Sequence, residues 1–317
     1  MRLLVSSFVL ATCVLAACGG AAPAPSPPAP PLAPNSPDQS TVKLYVIGNR
    51  PYVDITLRKP DGSSRIGRFL VDSGGGAFIL AQPLALGLGL TSQQIESNDG
   101  KFAKVDGPLE AKIGQVALVL DPERTLVAVD QDSLTPKGAP GRSDGMLPGH
   151  VLAQFHVVFD YPAGRFTIAK PGVLTPRGAA SEMPVRTETG FPRTELVIDG
   201  KPHGFLLDTG AAFTMMSEVL LQSLSSEHST WPRYHGAYGD AKLLGGQTLE
   251  TLFLGEAAWA GHALSEVGVT SQKTGTFEQM MSGLMTAPIE GSLAGNVLKA
   301  FRVELDYPNQ KLYLSKP

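Results

Sequence analysis

Two stretches of this chain are close copies of one another: FLVDSGGGAFIL from Phe69 to Leu80, and FLLDTGAAFTMM from Phe205 to Met216. Asp72 plus 136 is Asp208, and the same offset carries Ser73 onto Thr209 and Gly74 onto Gly210. Each acidic turn follows the second arm of a hairpin pattern. PYVDITLR, KPDGSS and RIGRFLV lead into Asp72; RTELVID, a turn opening at Asp199-Gly200, and GFLL lead into Asp208. Apolar or alternating runs flanking Asp-Gly, a dipeptide that tolerates positive φ, predict β-hairpins. One Asp-Ser-Gly would be an ordinary turn. Two in matched settings constrain the whole fold.

The match continues downstream. AQPLALGLGL and SEVLLQSLSS follow the turns as short segments of helical or mixed character, and the strand-like LEAKIGQVALVL corresponds, with one inserted residue, to LETLFLGEAAWA. DGMLPGHVLAQFHVVFDYPAGRFTI from Asp144 then aligns without gaps, at an offset of 146, with EGSLAGNVLKAFRVELDYPNQKLYL from Glu290. In each, a glycine-bearing turn opens a short helix, and a strand ending in DYP turns back as another strand. A repeat of about 140 residues is far longer than the roughly 20–50 of a solenoid unit, so it reads as a duplicated, mostly β domain. Pro and Gly interrupt the pattern in KPGVLTPRGAASEMP, Lys170 to Pro184. The expected division is a first lobe over 41–170, a linker over 171–184 and a second lobe over 185–317.

The beginning of the chain reads differently. After Arg2, an uncharged apolar run from Leu3 to Ala17 has the length of a secretory h-region and is too short to span a bilayer. It ends in LAAC, Leu15 to Cys18, which resembles a bacterial lipobox; an ordinary cleavage site is the alternative. The resemblance implies a signal peptide over 1–17 and lipid attachment at Cys18. The other cysteine, Cys13, lies in the segment removed. Gly19 follows Cys18 in place of the Asp associated with inner-membrane retention, so an outer-membrane anchor is expected in a host with two membranes. Eight prolines among the twenty residues from Ala21 to Ser40 favour extended polyproline II, so 18–40 is expected as a spacer.

Composition excludes several classes. With 317 residues, 43% apolar and 17% charged, the chain has material for sizeable cores. A net charge of −3 without a basic block lacks the footprint of a nucleic-acid binder. Six scattered histidines without HExxH predict no metal site, and no cofactor is expected. GSLAG lacks the spacing of a serine-hydrolase elbow, SGGGAF is not a dinucleotide loop, and TMMSEVLL reads as core packing. The aromatic residues of the DYP hairpins are expected to pack.

Two related lobes packed about an approximate two-fold axis bring equivalent residues together, here Asp72 and Asp208. Two carboxyls in contact cannot both ionise at ordinary cost, so such a pair holds one proton and acts as acid and base at once. The sequence resembles the aspartic protease superfamily, specifically its retropepsin-like bacterial members. The resemblance rests on apolar-apolar-Asp-Ser/Thr-Gly at Leu70 to Gly74 and Leu206 to Gly210, extended by the Gly-x-x-x-Gly turn and DYP hairpin of each half. It implies an all-β fold of two retropepsin-like barrels in one chain, a monomer that is an intramolecular pseudo-dimer.

By that resemblance Asp72 and Asp208 are the catalytic carboxylates and Ser73, Gly74, Thr209 and Gly210 support them. Substrate-covering flaps are expected over Asn98 to Gly107 and over YHGAYGDAKLLGG, with Tyr234 or Tyr238 as flap aromatics. The implied activity is an aspartic endopeptidase acting on peptides or unfolded protein, tethered to a membrane and facing the periplasm or cell exterior. The alternative is a non-catalytic peptide-binding or assembly lipoprotein that kept the cleft. Gly75 and Ala211 stand where pepsin-like relatives carry a Ser or Thr whose hydroxyl favours the ionised carboxylate. Lacking that donor, the pair is expected to hold its proton to higher pH, giving a mildly acidic to near-neutral optimum.

Overall fold

A computed structural model of the chain describes residues 34–59, 61–95, 101–129, 134, 142–235, 250–272 and 275–316. The described chain is mostly β, the all-β, aspartic-protease-like architecture that the resemblance implies. From Ala33 onward it forms one compact unit.

Each half builds one large sheet, and the two sheets have the same strand order. Across the first lie Ser92–Gln94, Phe102–Val105, Thr125–Ala128, Phe78–Ala81, Gly145–Pro148, Ser64–Asp72, Arg50–Arg58, Ala111–Ile113 and Val116–Leu118, with Tyr45–Ile47 also pairing on Arg50–Arg58. Across the second lie Arg233–His235, Glu250–Leu254, Val267–Gln272, Met215–Ser217, Gly291–Leu293, Lys201–Leu207, Arg193–Ile198, Ala257–Trp259 and His262–Leu264. The hairpins form where alternation and Asp-Gly place them. Asp199 and Gly200 connect the second one with φ of 48° and 72°, the two positive angles of a twist-matched tight turn.

In each half the strand carrying the acidic turn also has a parallel neighbour. Gly145–Pro148 runs parallel to Ser64–Asp72 with Pro148 opposite Asp72, and Gly291–Leu293 runs parallel to Lys201–Leu207. Gly145 and Gly291 lie against the rings of Phe69 and Phe205, where a Cβ would overlap the aromatic carbons. The small residue and the large ring are thus one packing unit, used twice. After the turns come the helices Gln82–Leu88 and Glu218–Glu227, the latter capped by Ser217, whose Oγ accepts the Leu220 N–H at 3.1 Å.

A third, six-stranded sheet joins the halves in the order Gln39–Lys43, Arg165–Ala169, His156–Asp160, Arg302–Asp306, Lys311–Ser315 and Ala180–Glu182. The last of these strands lies within the stretch expected as a linker, and the first begins two residues before Thr41. Its central pair is antiparallel with His156 opposite Asp306, Val158 opposite Glu304 and Asp160 opposite Arg302. Since 160 plus 146 is 306 and 156 plus 146 is 302, His156 pairs with the counterpart of Asp160 and Asp160 with the counterpart of His156, the self-complementary pattern of a two-fold contact. The main hydrophobic cluster is continuous through all three sheets, from Val53, Ile55 and Phe69 through Phe159 and Val303 to Phe205 and Trp259. That continuity sets both acidic turns on one shared core.

Candidate active site

Asp72 ends one strand and Asp208 directly follows its equivalent, so each acidic loop springs from a fully paired sheet. The two loops grip one another. Ser73 Oγ donates to the Leu207 carbonyl at 2.6 Å and accepts the Thr209 N–H at 2.9 Å. Thr209 Oγ1 donates to the Val71 carbonyl at 2.7 Å and accepts the Ser73 N–H at 3.0 Å. Both side chains are fully buried. A hydroxyl suits this place because it donates and accepts at once; an apolar side chain would leave a buried N–H and a buried C=O without partners on the opposite loop.

Small residues fit beside each carboxyl. A Cβ on Gly210 would clash with Asp72, 2.2 Å from its carboxyl carbon, and one on Gly74 would be tight, 3.2 Å from the Asp208 carboxyl carbon. Each carboxyl therefore lies across the other half's glycine, and the Asp208 charge acts on Asp72. Main-chain donors converge on both. Asp72 Oδ1 accepts the Gly74 N–H at 2.9 Å; Asp208 Oδ1 accepts the N–H groups of Gly210 and Ala211, each at 3.0 Å.

Both aspartates keep partial solvent access, yet burial is the largest influence on each. Burial and then the neighbouring Asp208 push the Asp72 carboxyl up to about 8, against the pull of the Gly74 N–H, Arg50 and the Gly75 N–H. Burial also raises Asp208, opposed by the N–H groups of Ala211 and Gly210, by Arg50 and by the bond from Asp72. Two carboxyls with raised, linked affinities for protons retain one between them well above the range of free aspartate.

No motif marks Arg50, and the DYP tyrosines, expected to pack, are buried near the pair. Arg50, the first residue of strand Arg50–Arg58, donates through Nε to the Gly210 carbonyl at 2.7 Å and acts electrostatically on both aspartates. Tyr161 and Tyr307, the tyrosines of the two DYP turns, are buried with hydroxyls that lack a hydrogen-bond partner. Burial, with Asp208 behind Tyr161 and Asp72 behind Tyr307, keeps both phenols protonated. A signal for Arg50 existed: aligning Pro51 with Pro192 sets it against Phe191, a charge where the copy has a ring.

Tyr234 is exposed on the edge strand Arg233–His235, paired antiparallel to Glu250–Leu254. Tyr238 and residues 236–246 of the expected second flap, together with 98–100 of the first, lie outside the described residues, as does Cys18. One group of possible metal ligands occurs among the described residues: Asp199, Glu227 and His228, with atoms within 4.8 Å of one another. It lies at the turn of the second hairpin and the end of helix Glu218–Glu227, where Lys201 already pairs with Glu227 at 3.5 Å.

Residues 194–279 match the sequence profile of the family described as aspartyl protease. No curated protein matches the chain. The matched stretch runs from the second hairpin through Asp208-Thr209-Gly210 and supports a hydrolase of the aspartyl protease type.

Proposed function

We propose that the protein is an aspartic endopeptidase in which Asp72 and Asp208 share one proton and activate a water molecule against a peptide bond. The observation that carries the reading is the pair itself: two half-buried carboxyls, each seated against the glycine of the other half's acidic turn and held there by the reciprocal Ser73 and Thr209 bonds. Water oxygen bonds to the carbonyl carbon while one water proton passes to the ionised carboxylate and the proton of the other carboxyl passes to the carbonyl oxygen. The resulting neutral diol collapses as the C–N bond breaks. The nitrogen takes the proton held by the first carboxyl, a diol hydroxyl returns one to the second, and the pair regains its starting state. The surrounding N–H groups steady the negative charge throughout.

The test is hydrolysis of a mixed peptide library and of an unfolded protein, with inhibition by a peptide whose scissile bond is replaced by a hydroxyl-bearing isostere. Cleavage that vanishes in Asp208→Asn supports the reading; isostere binding without any cleavage by the parent chain would favour a peptide-binding role instead.

The proposal extends to placement. Residues 41–170 and 185–317 act as two lobes that descend from one duplicated unit. A signal peptide over 1–17 is removed, Cys18 carries lipid, and 18–40 holds the lobes clear of an outer membrane, facing the periplasm or exterior. Mass spectrometry of the mature N-terminus tests this: an unlipidated chain starting elsewhere contradicts it.

A further inference from the structure

The turns that precede the two hairpins are equivalent, and each is packed on the other half. Gly190 lies against Gly149, and a Cβ at Gly149 would stand 2.5 Å from the Ser73 carbonyl oxygen. At the matching place Asn49 lies against Gly295, its amide donates to the Ala212 carbonyl at 3.2 Å, and Lys299 donates to its Oδ1 at 3.0 Å. The next residue breaks the symmetry. Phe191 packs into an apolar cluster with Leu206, Phe277, Met285 and Ile289, whereas Arg50 binds the Gly210 carbonyl.

That carbonyl belongs to the same peptide group as the Ala211 N–H, which donates to Asp208 Oδ1. Guanidinium, peptide and carboxylate form one chain. A cation on a peptide oxygen draws electron density from its nitrogen and makes the N–H a stronger donor, so the bonds of such a chain reinforce one another. Asp72 has no such support. The Gly75 N–H bonds the main-chain carbonyl of Asp72 at 3.1 Å and contributes least to its carboxyl. Among the described residues Arg50 is the cation that faces the pair. The remaining titratable groups facing it, Tyr161 towards Asp208 and Tyr307 towards Asp72, are neutral counterparts of one another and cannot distinguish the two carboxyls.

We infer that Arg50 is a positioning residue that makes the two carboxyls unequal, holding the negative charge on Asp208 through the Gly210–Ala211 peptide and leaving the shared proton on Asp72. Resting on the function proposed above, this assigns roles. Asp208 is the base that takes the proton of water, and Asp72 is the acid that bonds to the substrate carbonyl.

The experiment is a pH titration of the full chain with ¹³C-labelled aspartate carboxyls, assigned with Asp72→Asn and Asp208→Asn, in the parent, Arg50→Gln and Arg50→Lys. In the parent, the more acidic step should appear on Asp208. In Arg50→Gln that step should rise by about one pH unit and its amplitude should spread over both carboxyls. Arg50→Lys, which keeps a cation and a donor, should restore most of the inequality. A first step on Asp72, or an amplitude unchanged in Arg50→Gln, overturns the inference. The parent titration alone decides which carboxyl ionises first, even where a variant is unstable. No hydrolysis is needed, so a parent chain that cleaves nothing would end the proposed reaction while the titration still judged Arg50.

Discussion

The two halves share a strand order and differ most where each faces its own surroundings. At the contact between the acidic loops the equivalent residues do equivalent work: Ser73 and Thr209 trade matching bonds at 2.6–3.0 Å. One layer away the likeness ends. In the second half Thr214 gives both its N–H and its hydroxyl to Asn296 Oδ1, and the Asn296 amide donates to the Gly268 carbonyl at 3.0 Å. Their counterparts are Phe78, stacked on Phe69 with centroids 5.2 Å apart, and His150, whose ring nitrogens are buried without hydrogen bonds and whose basicity burial depresses. A polar bracket in one half is an aromatic stack in the other. The crossed bonds of Ser73 and Thr209 need the same donor-and-acceptor chemistry on both sides, whereas the residues one layer away answer to local packing.

The largest expected effect breaks the symmetric centre. Asp72→Asn or Asp208→Asn should each reduce peptide hydrolysis by roughly 10²–10⁴-fold or more, since neither carboxyl can both accept and donate the required protons. Asp72→Asn should also stabilise the fold. A carboxyl raised to about 8 binds more protons folded than unfolded from about pH 4 to 8, so its contribution to stability falls as pH rises through that window. Thermal unfolding should show a gain on the order of 1 kcal/mol or more at pH 7 and little near pH 4. Equal stability at both pH values would mean that Asp72 is not held protonated.

Next comes the shared sheet, where the copies Val158 and Glu304 face each other across the axis. Glu304 is buried, bonds His156 Nε2 at 2.8 Å and pairs with Arg302. Burial alone would raise its carboxyl, but His156 and Arg302 outweigh it and hold it below the ordinary glutamate range. Glu304→Val, which restores symmetry, should cost about 3–5 kcal/mol by stranding both partners. A lowered carboxyl contributes fully above the unfolded pKa and loses that contribution as pH falls through the folded one. The deficit seen by denaturant unfolding should therefore be full at neutral pH and shrink in acid, the opposite slope to Asp72.

Ser73→Ala and Thr209→Val sharpen the comparison where the halves agree. Each should cost about 1–3 kcal/mol by leaving a buried N–H and C=O unpartnered. Because the four bonds form one network, the double variant should cost less than the sum, read from a double-mutant cycle. Strict additivity would mean that the loops are braced independently.

The smallest effect is expected at the residue after each Asp-Ser/Thr-Gly. Ala211→Ser should add a donor near Asp208 and move the pH–rate profile towards acid by less than about one unit. Gly75→Ser is the poorer probe, because its Cβ would stand 3.0 Å from the Asp72 carboxyl and 3.1 Å from the Met146 methyl. An alkaline shift in Ala211→Ser would mean that the hydroxyl does not reach the carboxylate.

What was legible in the sequence was whatever is written in local chemistry. Alternation and Asp-Gly determined the hairpins, and the matched settings of the two acidic turns marked their loops as equivalents. Those signals act over a few residues, and the sequence carries them in both halves. What only the tertiary structure decided is how the copies became unequal. Arg50 lies 160 residues from the Gly210 carbonyl it binds, and His156 lies 148 from Glu304. Nothing in the neighbourhood of either residue in the chain encodes its partner. The shared sheet and the crossed loops bring them together, and the fold then tunes three acids: burial raises Asp72 and Asp208, while His156 and Arg302 hold Glu304 low.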